Sequence, residues 1–249
     1  MVLLIIVGTS YIGKCLLIEE KGKKILVVGD LHLGYEEMLN QSGVFVTREM
    51  FKEMIKYFDL IFSKIGKVDK IVLLGDVKHD FGGILRQEWN DVLRLFDYFF
   101  EKIKKKGEIV IMKGNHDNIL EPIIKKRENV EIKDYFIVND IAFLHGDKDF
   151  KEIWDKKIKY LIMGHGHPAV KLREEKGVKI EKYKCFLVGR FKGKEIIILP
   201  SFFSYMEGSD PRESNLGLAW KFDYSKFNVK IVNVDDLKVL EFGRLGGLG

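Results

Sequence analysis

The sequence predicts an α/β protein in which strands buried on both faces are followed by a second, largely antiparallel sheet. Three observations predict it. Short runs that are apolar at consecutive positions recur and end in glycine plus a polar residue. Two segments with a 3.6-residue apolar period lie between these runs, and after His167 the pattern changes to strand-like runs punctuated by turns.

Taken along the chain, the apolar start from Val2 to Val7 is too short to cross a bilayer and has no basic stretch before it, so it reads as a first strand and not a signal peptide. Ile25 to Val28 precede Gly29-Asp30, and Ile71 to Leu74 precede Gly75-Asp76. Ile109 to Met112 precede Gly114-Asn115-His116-Asp117, and Tyr160 to Met163 precede Gly164-His165-Gly166-His167. Runs without polar alternation belong to strands covered on both sides. Their carboxyl ends are where open α/β sheets place ligands, so the polar residues are expected to converge.

The first helical segment carries Phe51, Met54, Ile55, Phe58, Ile61, Phe62 and Ile65 on one face, with Thr47 placed to cap it. The second runs from about Gln87 to Lys106, with Trp89, Val92, Leu93, Phe96, Phe99, Phe100 and Ile103 inward and Gly107 as its stop. Both aromatic stripes are core faces of packed helices. In the second half, strand-like runs fall at Cys185 to Val188, Ile196 to Leu199, Leu216 to Phe222 and Phe227 to Val232, and Phe191-Lys192-Gly193-Lys194 has the form of a hairpin. There is no internal repeat and no Pro-rich linker, so residues 1–249 read as one domain whose Gly-rich end, 243–249, frays.

Hydrophobic residues at 46% exclude a disordered chain. The net charge of +5, from 42 basic and 37 acidic residues, is too slight to establish nucleic-acid binding. The run Lys102 to Lys106 reads as a solvated helix end, where cations complement the macrodipole. Cys15 and Cys185 have no paired spacing, which argues against a zinc ribbon, redox pair or disulfide framework and fits a reducing, cytoplasmic setting. Abundant Lys and Glu hint at heat adaptation.

Asp30 and His32, one residue apart just past a strand, can turn toward the same divalent cation; a loop Asp capping the next helix is the plain alternative. Asp76 repeats the strand-Gly-Asp form, and its two oxygens could bridge cations about 3.5–4 Å apart. Asn115 offers a neutral amide oxygen, His116 can point a ring into the site without coordinating, and His145, His165 and His167 add three imidazoles. Of the six histidines, all but His79 follow strand-like runs. Structural histidines have no reason to gather with Asp and Asn at strand ends, so a metal site is the reading that convergence supports.

In their order, Gly29-Asp30-Leu31-His32, Gly75-Asp76, Gly114-Asn115-His116-Asp117, His145-Gly146 and Gly164-His165-Gly166-His167 resemble the signature of the calcineurin-like metallophosphoesterases, over about residues 25 to 170. The resemblance implies a four-layer αββα sandwich of two mixed sheets. It implies one metal held by Asp30, His32, Asp76 and His167 and another held by Asp76, Asn115, His145 and His165. It further implies His116 as general acid, Asp117 as the carboxylate orienting its ring, and in-line attack on phosphorus by a metal-bound hydroxide. Manganese is the expected ion, although zinc, iron or nickel suit the same mixed donors.

The run Gly75-Asp76-Val77-Lys78-His79-Asp80 lacks the Arg that phosphoprotein phosphatases of this superfamily carry after the bridging Asp, and the later block ends in Asp117 where they have Glu. With Gly29 to Glu36, the pattern is similar to the ICC-like, SbcD-exonuclease-related branch. That implies a phosphodiesterase acting on DNA, RNA or nucleotides, a nuclease linked to DNA repair and to repair partner proteins among the readings. A small cyclic-nucleotide phosphodiesterase and a non-catalytic scaffold binding nucleic acid through its lysines are the alternatives. His79 and Asp80 either lie near the substrate or cap Gly82-Gly83. Tyr35 either stacks on a base or packs beneath a loop, the commoner fate of a tyrosine. The aromatic loop from Pro200 to Asp210 borders the cleft in this reading. Physiological substrate and oligomeric state are not legible.

Overall fold

The computed structural model describes residues 8–83, 85–173, 180–214 and 217–248; the expected first strand from Val2 to Val7 lies outside them, as does Leu216. One six-stranded sheet is built in chain order from β1 (Thr9–Ile12), β2 (Cys15–Glu20), β3 (Lys23–Val28), β4 (Val68–Leu73), β5 (Ile103–Met112) and β6 (Val130–Lys133). The first three form an antiparallel meander, and β3 to β6 are parallel. The helices are α1 (Tyr35–Gln41), α2 (Met50–Ile65), α3 (Arg86–Lys102) and α4 (Glu121–Ile124).

An eight-stranded sheet follows. It comprises β7 (Tyr135–Val138), β8 (Ile141–Leu144), β9 (Tyr160–Met163), β10 (Ala169–Arg173), β11 (Ile180–Phe191), β12 (Lys194–Ile198), β13 (Asn228–Val232) and β14 (Val239–Arg244). Their order is β14-β13-β11-β12-β9-β8-β7, with β10 paired to β11. It is mixed, because β8, β9 and β12 run parallel within an otherwise antiparallel arrangement.

The apolar runs have both faces covered for a visible reason. Ile25 and Val27 of β3, Val72 and Leu74 around β4, and Val110 and Met112 of β5 meet Phe143, Ile162, Phe186, Val188 and Ile197 of the second sheet in an inter-sheet core. The alternate residues Leu26, Val28, Ile71, Leu73, Ile109 and Ile111 face outward onto α2, α3 and α4, against Met54, Phe58, Phe62, Val92, Phe96 and Phe99. The outer face of the second sheet is covered by 3-10 turns at Lys151–Trp154, Gly217–Lys221 and Tyr224–Lys226, which contribute Ile153, Leu218 and Tyr224. The hairpin forms as expected, with Phe191 opposite Lys194 and positive φ at both Lys192 (48°) and Gly193 (79°), the geometry of a type I′ turn.

Four local expectations fail, each for an identifiable reason. Helix α3 stops at Lys102, and Ile103 already pairs with Val68, so Lys104 to Lys106 open a strand and Gly107 sits within it. Lys102 and Lys104 are paired with Asp59 and Asp69, at the opposite end of β5 from the loop that carries Asn115 and His116. Helix α2 is not capped by Thr47; the Glu36 carboxylate accepts the Glu49 and Met50 N–H groups at 2.7 and 2.8 Å. The run after Leu216 is a 3-10 turn instead of a strand. Of the end expected to fray, Gly243 and Arg244 finish β14 and Leu245 is buried in the core of the second sheet, while Gly249 lies outside the described residues. Among the described residues no helix is long and apolar enough to cross a membrane.

Candidate metal centre

The loops after β3, β4, β5, β8 and β9 meet at one end of the two sheets, so the side chains that close a continuous apolar run in each strand share one volume. Four of these residues hold a left-handed backbone: His32 (φ 48°), Asp76 (48°), His165 (63°) and His167 (41°). Non-glycine residues rarely do so, and the cost, of order 1–3 kcal/mol each, is concentrated where function demands geometry. Neighbouring glycines make room for it. A Cβ at Gly75, itself at φ 96°, would stand 2.6 Å from His145 Nδ1, and one at Gly114 would overlap the Asp76 carboxylate.

Two donor clusters share Asp76, and a third group joins His32 to His79 and His116. In the first, His167 Nε2 lies 3.2 Å from Asp30 Oδ1 and 3.4 Å from His32 Nε2, which is 3.9 Å from Asp76 Oδ2. In the second, His145 Nε2 lies 3.4 Å from Asp76 Oδ1, 3.1 Å from Asn115 Oδ1 and 3.0 Å from His165 Nδ1. His145 Nδ1 faces the Leu74 carbonyl at 2.7 Å; donating there fixes the tautomer that turns the Nε2 lone pair inward. Lone pairs thus face lone pairs, which is repulsive unless a cation stands among them. Mixed carboxylate, amide and imidazole donors suit two divalent ions sharing one carboxylate. The seven ligands expected from the sequence are therefore brought together, from both sheets.

Electrostatics agree with the geometry. Asp30, His32, Asp76 and His145 are buried. Burial pushes Asp76 up, with the Asp30 and Asp117 carboxylates adding to it, the mark of a site short of positive charge. Burial also works against ionised Asp30, but the imidazoles of His167, His145 and His32 outweigh it and hold this carboxyl below its ordinary range. Burial drives His32 far down and His165 to about 4, so both are neutral, the ligand form.

His116 stands at the edge of both clusters, its Nε2 3.8 Å from Asp76 Oδ2 and its Nδ1 directed at the His79 carbonyl oxygen. Burial lowers its pKa, and the His79 carbonyl partly restores it. Asp117, expected to orient that ring, does something else. Its buried carboxylate accepts N–H groups from Val77 at 2.9 Å, Lys78 at 3.4 Å and Gly114 at 3.0 Å, tying the Asp76 loop to the Asn115 loop.

His79, which the sequence left open, packs in the site: its Nδ1 is 3.3 Å from His32 Nδ1 and its ring stacks near His116. Asp80 caps the loop, accepting the Gly82 and Gly83 N–H groups. Tyr35 is partly buried edge-on against His79 and Phe203, the packing alternative. Three residues were not singled out from the sequence, although the loop carrying the first, Pro200 to Asp210, was expected to border the cleft. Phe203 covers His32, and its N–H donates to the Asp30 carbonyl at 3.0 Å. Buried Glu88 accepts from His79, Asp80 and Leu85, buttressing their loop. Phe81 lies on His116. An aromatic cluster after a strand was the signal for the Phe203 loop; nothing local marked Glu88.

A model of the calcineurin-like phosphoesterase family matches residues 23–232. No curated protein matches the sequence. Among solved structures, the fold is similar to a nuclease MPE of Pseudomonas putida, at a TM-score of 0.56 and 14% identity over 92% of this chain and 100% of that one. A Vps29 double mutant from Entamoeba histolytica aligns with a TM-score of 0.36 at 14% identity, over 88% of this chain and 99% of that one. A predicted phosphoesterase from Streptococcus pneumoniae TIGR4 aligns at 0.35 and 15% identity, over 88% and 97%. With the family match spanning most of the sequence and the two donor clusters in place, the chain belongs to the calcineurin-like phosphoesterases.

Proposed function

We propose that this protein is a dinuclear-metal phosphodiesterase acting on nucleic acid or nucleotides. The observation that carries the reading is Asp76, whose two oxygens serve two converging donor clusters. The GDLHLGYE and GDVKHD runs support the phosphodiesterase branch over a protein phosphatase. The similarly folded Pseudomonas putida protein is a nuclease, which makes nucleic-acid phosphodiesters the first substrates to test. A scaffold binding DNA through Lys102 to Lys106 is disfavoured, since two of these lysines are ion-paired and the run lies at the far end of β5.

When bound, the two cations supply a water acidic enough to attack at neutral pH and neutralise charge on the phosphoryl oxygens. A water oxygen bonds to phosphorus, the bond to the leaving oxygen breaks, and His116 gives its Nε2 proton to that oxygen; the proton the water sheds passes to solvent, which recharges His116. With Nδ1 held by the His79 carbonyl, Nε2 is the position where the proton is delivered. An anionic phosphodiester beside the ring favours its protonated form and offsets the downward push of burial.

The test is hydrolysis of bis(4-nitrophenyl) phosphate, single-stranded DNA and cyclic nucleotides with added manganese, alongside calorimetric metal titration. Two equivalents should bind and hydrolysis should require them. His116→Asn should keep both equivalents and lose roughly 100- to 10,000-fold in kcat. Two bound ions with no hydrolysis of any phosphoester, or undiminished turnover in His116→Asn, overturns the reading.

A further inference from the structure

Phe81 is the residue whose position the fold leaves unexplained. Its ring centroid lies 3.6 Å from that of His116 at an interplanar angle of 33°, yet 56% of the residue stays open to solvent. The backbone beneath it is fixed from several sides. Glu88 accepts the His79 and Asp80 N–H groups, Asp80 Oδ1 accepts those of Gly82 and Gly83, and the buried Lys78 ammonium donates to the Asp80 carbonyl. A phenyl ring on a loop held this way is a built platform with one side on His116 and the rest turned outward.

We infer that Phe81 is a specificity-determining residue, a stacking platform for the nucleobase of the leaving nucleoside. The inference rests on the phosphodiesterase reading and on His116 as the proton donor. His116 must approach the leaving oxygen, so whatever that oxygen carries emerges beside His116, and Phe81 is the exposed apolar surface in contact with that ring. A leaving group of sugar and planar base brings a π-face to it, whereas an abasic sugar brings none. Aromatic stacking tolerates any base, so Phe81 selects nucleosides over other alcohols without selecting a sequence.

The experiment compares thymidylyl-thymidine with two analogues in which one or the other thymine is deleted, using the manganese-loaded full chain. In the wild type, deleting the base of the leaving nucleoside should lower kcat/KM about tenfold or more, the scale of one base-aromatic stack. Phe81→Ala should lower the intact substrate to the level of that analogue and leave the analogue unchanged; Phe81→Trp should restore the gap. As a readout apart from turnover, the added indole of Phe81→Trp should be quenched by thymidine monophosphate and not by ribose 5-phosphate, relative to wild type. An equal loss on all three substrates in Phe81→Ala would mean that Phe81 only holds His116, and would overturn the inference. So would a gap that survives the substitution. Loss of all hydrolysis in the wild type instead removes the phosphodiesterase reading, and this inference with it; the two failures are distinguished by turnover of bis(4-nitrophenyl) phosphate.

Discussion

Asp117 shows how far a residue's role depends on what its atoms reach. Next to His116 in sequence, it is the natural candidate to polarise that ring, but its carboxylate is spent on three backbone N–H groups from two loops, and the His79 carbonyl takes the ring's Nδ1 instead. Asp117 is therefore a positioning residue that sets the spacing of Asp76 and Asn115. In Asp117→Asn one oxygen can still accept from Val77, while the new amide turns N–H toward N–H at Gly114. Leaving a buried donor unpaired costs about 1–3 kcal/mol. The metal-free variant should unfold at correspondingly lower denaturant and bind metal more weakly, with the pH profile of residual turnover unchanged. A shifted profile at unchanged stability would restore Asp117 to the role of orienting His116.

At the scale of elements, the segment from Ser201 to Ser204 is clamped by two lysines, Lys14, which is buried, and Lys184, which is half-buried. Lys14 donates to the Phe202 carbonyl at 2.7 Å and to Ser204 Oγ at 3.0 Å, with its ammonium over the Tyr57 and Phe202 rings; Lys184 donates to the carbonyls of Ser201 and Phe203. Burial lowers Lys184 to about 7, with Lys14 adding repulsion, and lowers Lys14 to about 8. For a lysine whose folded pKa lies below its unfolded value, the unfolded chain binds more protons between the two, so stability rises with pH through that window. From about pH 7 to pH 10 the wild type should gain stability relative to Lys184→Met, by an amount on the order of a few kcal/mol. Denaturant unfolding in EDTA across that range measures it, and a constant difference between the two proteins would refute it.

Elements were legible where one physical signal dominated. The strands that carry ligands are covered on both faces, so they read as unbroken apolar runs, and the hairpin at Lys192-Gly193 follows from its turn residues. The end of α3 was misplaced because lysines and a glycine look like a helix terminus, whereas Ile103 pairing with Val68, distant in sequence, starts a strand. The cap of α2 was misassigned for the same reason: Glu36 reaches it from another helix. The seven side chains that converge could be named, since Asp, Asn and His at strand ends are a local pattern. Phe81, Glu88 and Lys184 could not, because their roles are contacts made by tertiary folding, and Phe203 was legible only as part of the aromatic loop from Pro200 to Asp210.

For the whole molecule, the arrangement of the donors couples metal binding to the pairing of the sheets. Asp30, His32, Asp76 and Asn115 come from loops of the first sheet, and His145, His165 and His167 from loops of the second. Each cluster draws on both, so ions bound there span the inter-sheet core at its ligand end and have no equivalent site in the unfolded chain. Binding confined to the folded state stabilises it by about 2.7 kcal/mol per site at a hundredfold excess over Kd. In a chain of this size each kcal/mol raises Tm by roughly 2–4 °C. Saturating manganese should therefore raise Tm by roughly 5–10 °C per occupied site, reversibly on adding EDTA. Asp76→Asn, which weakens the one ligand common to both clusters, should lose most of that increment. Losing His167 alone should remove only the share of the first site. If calorimetric scans show the same increment in wild type and Asp76→Asn, the ions do not share that carboxylate and the two clusters are independent.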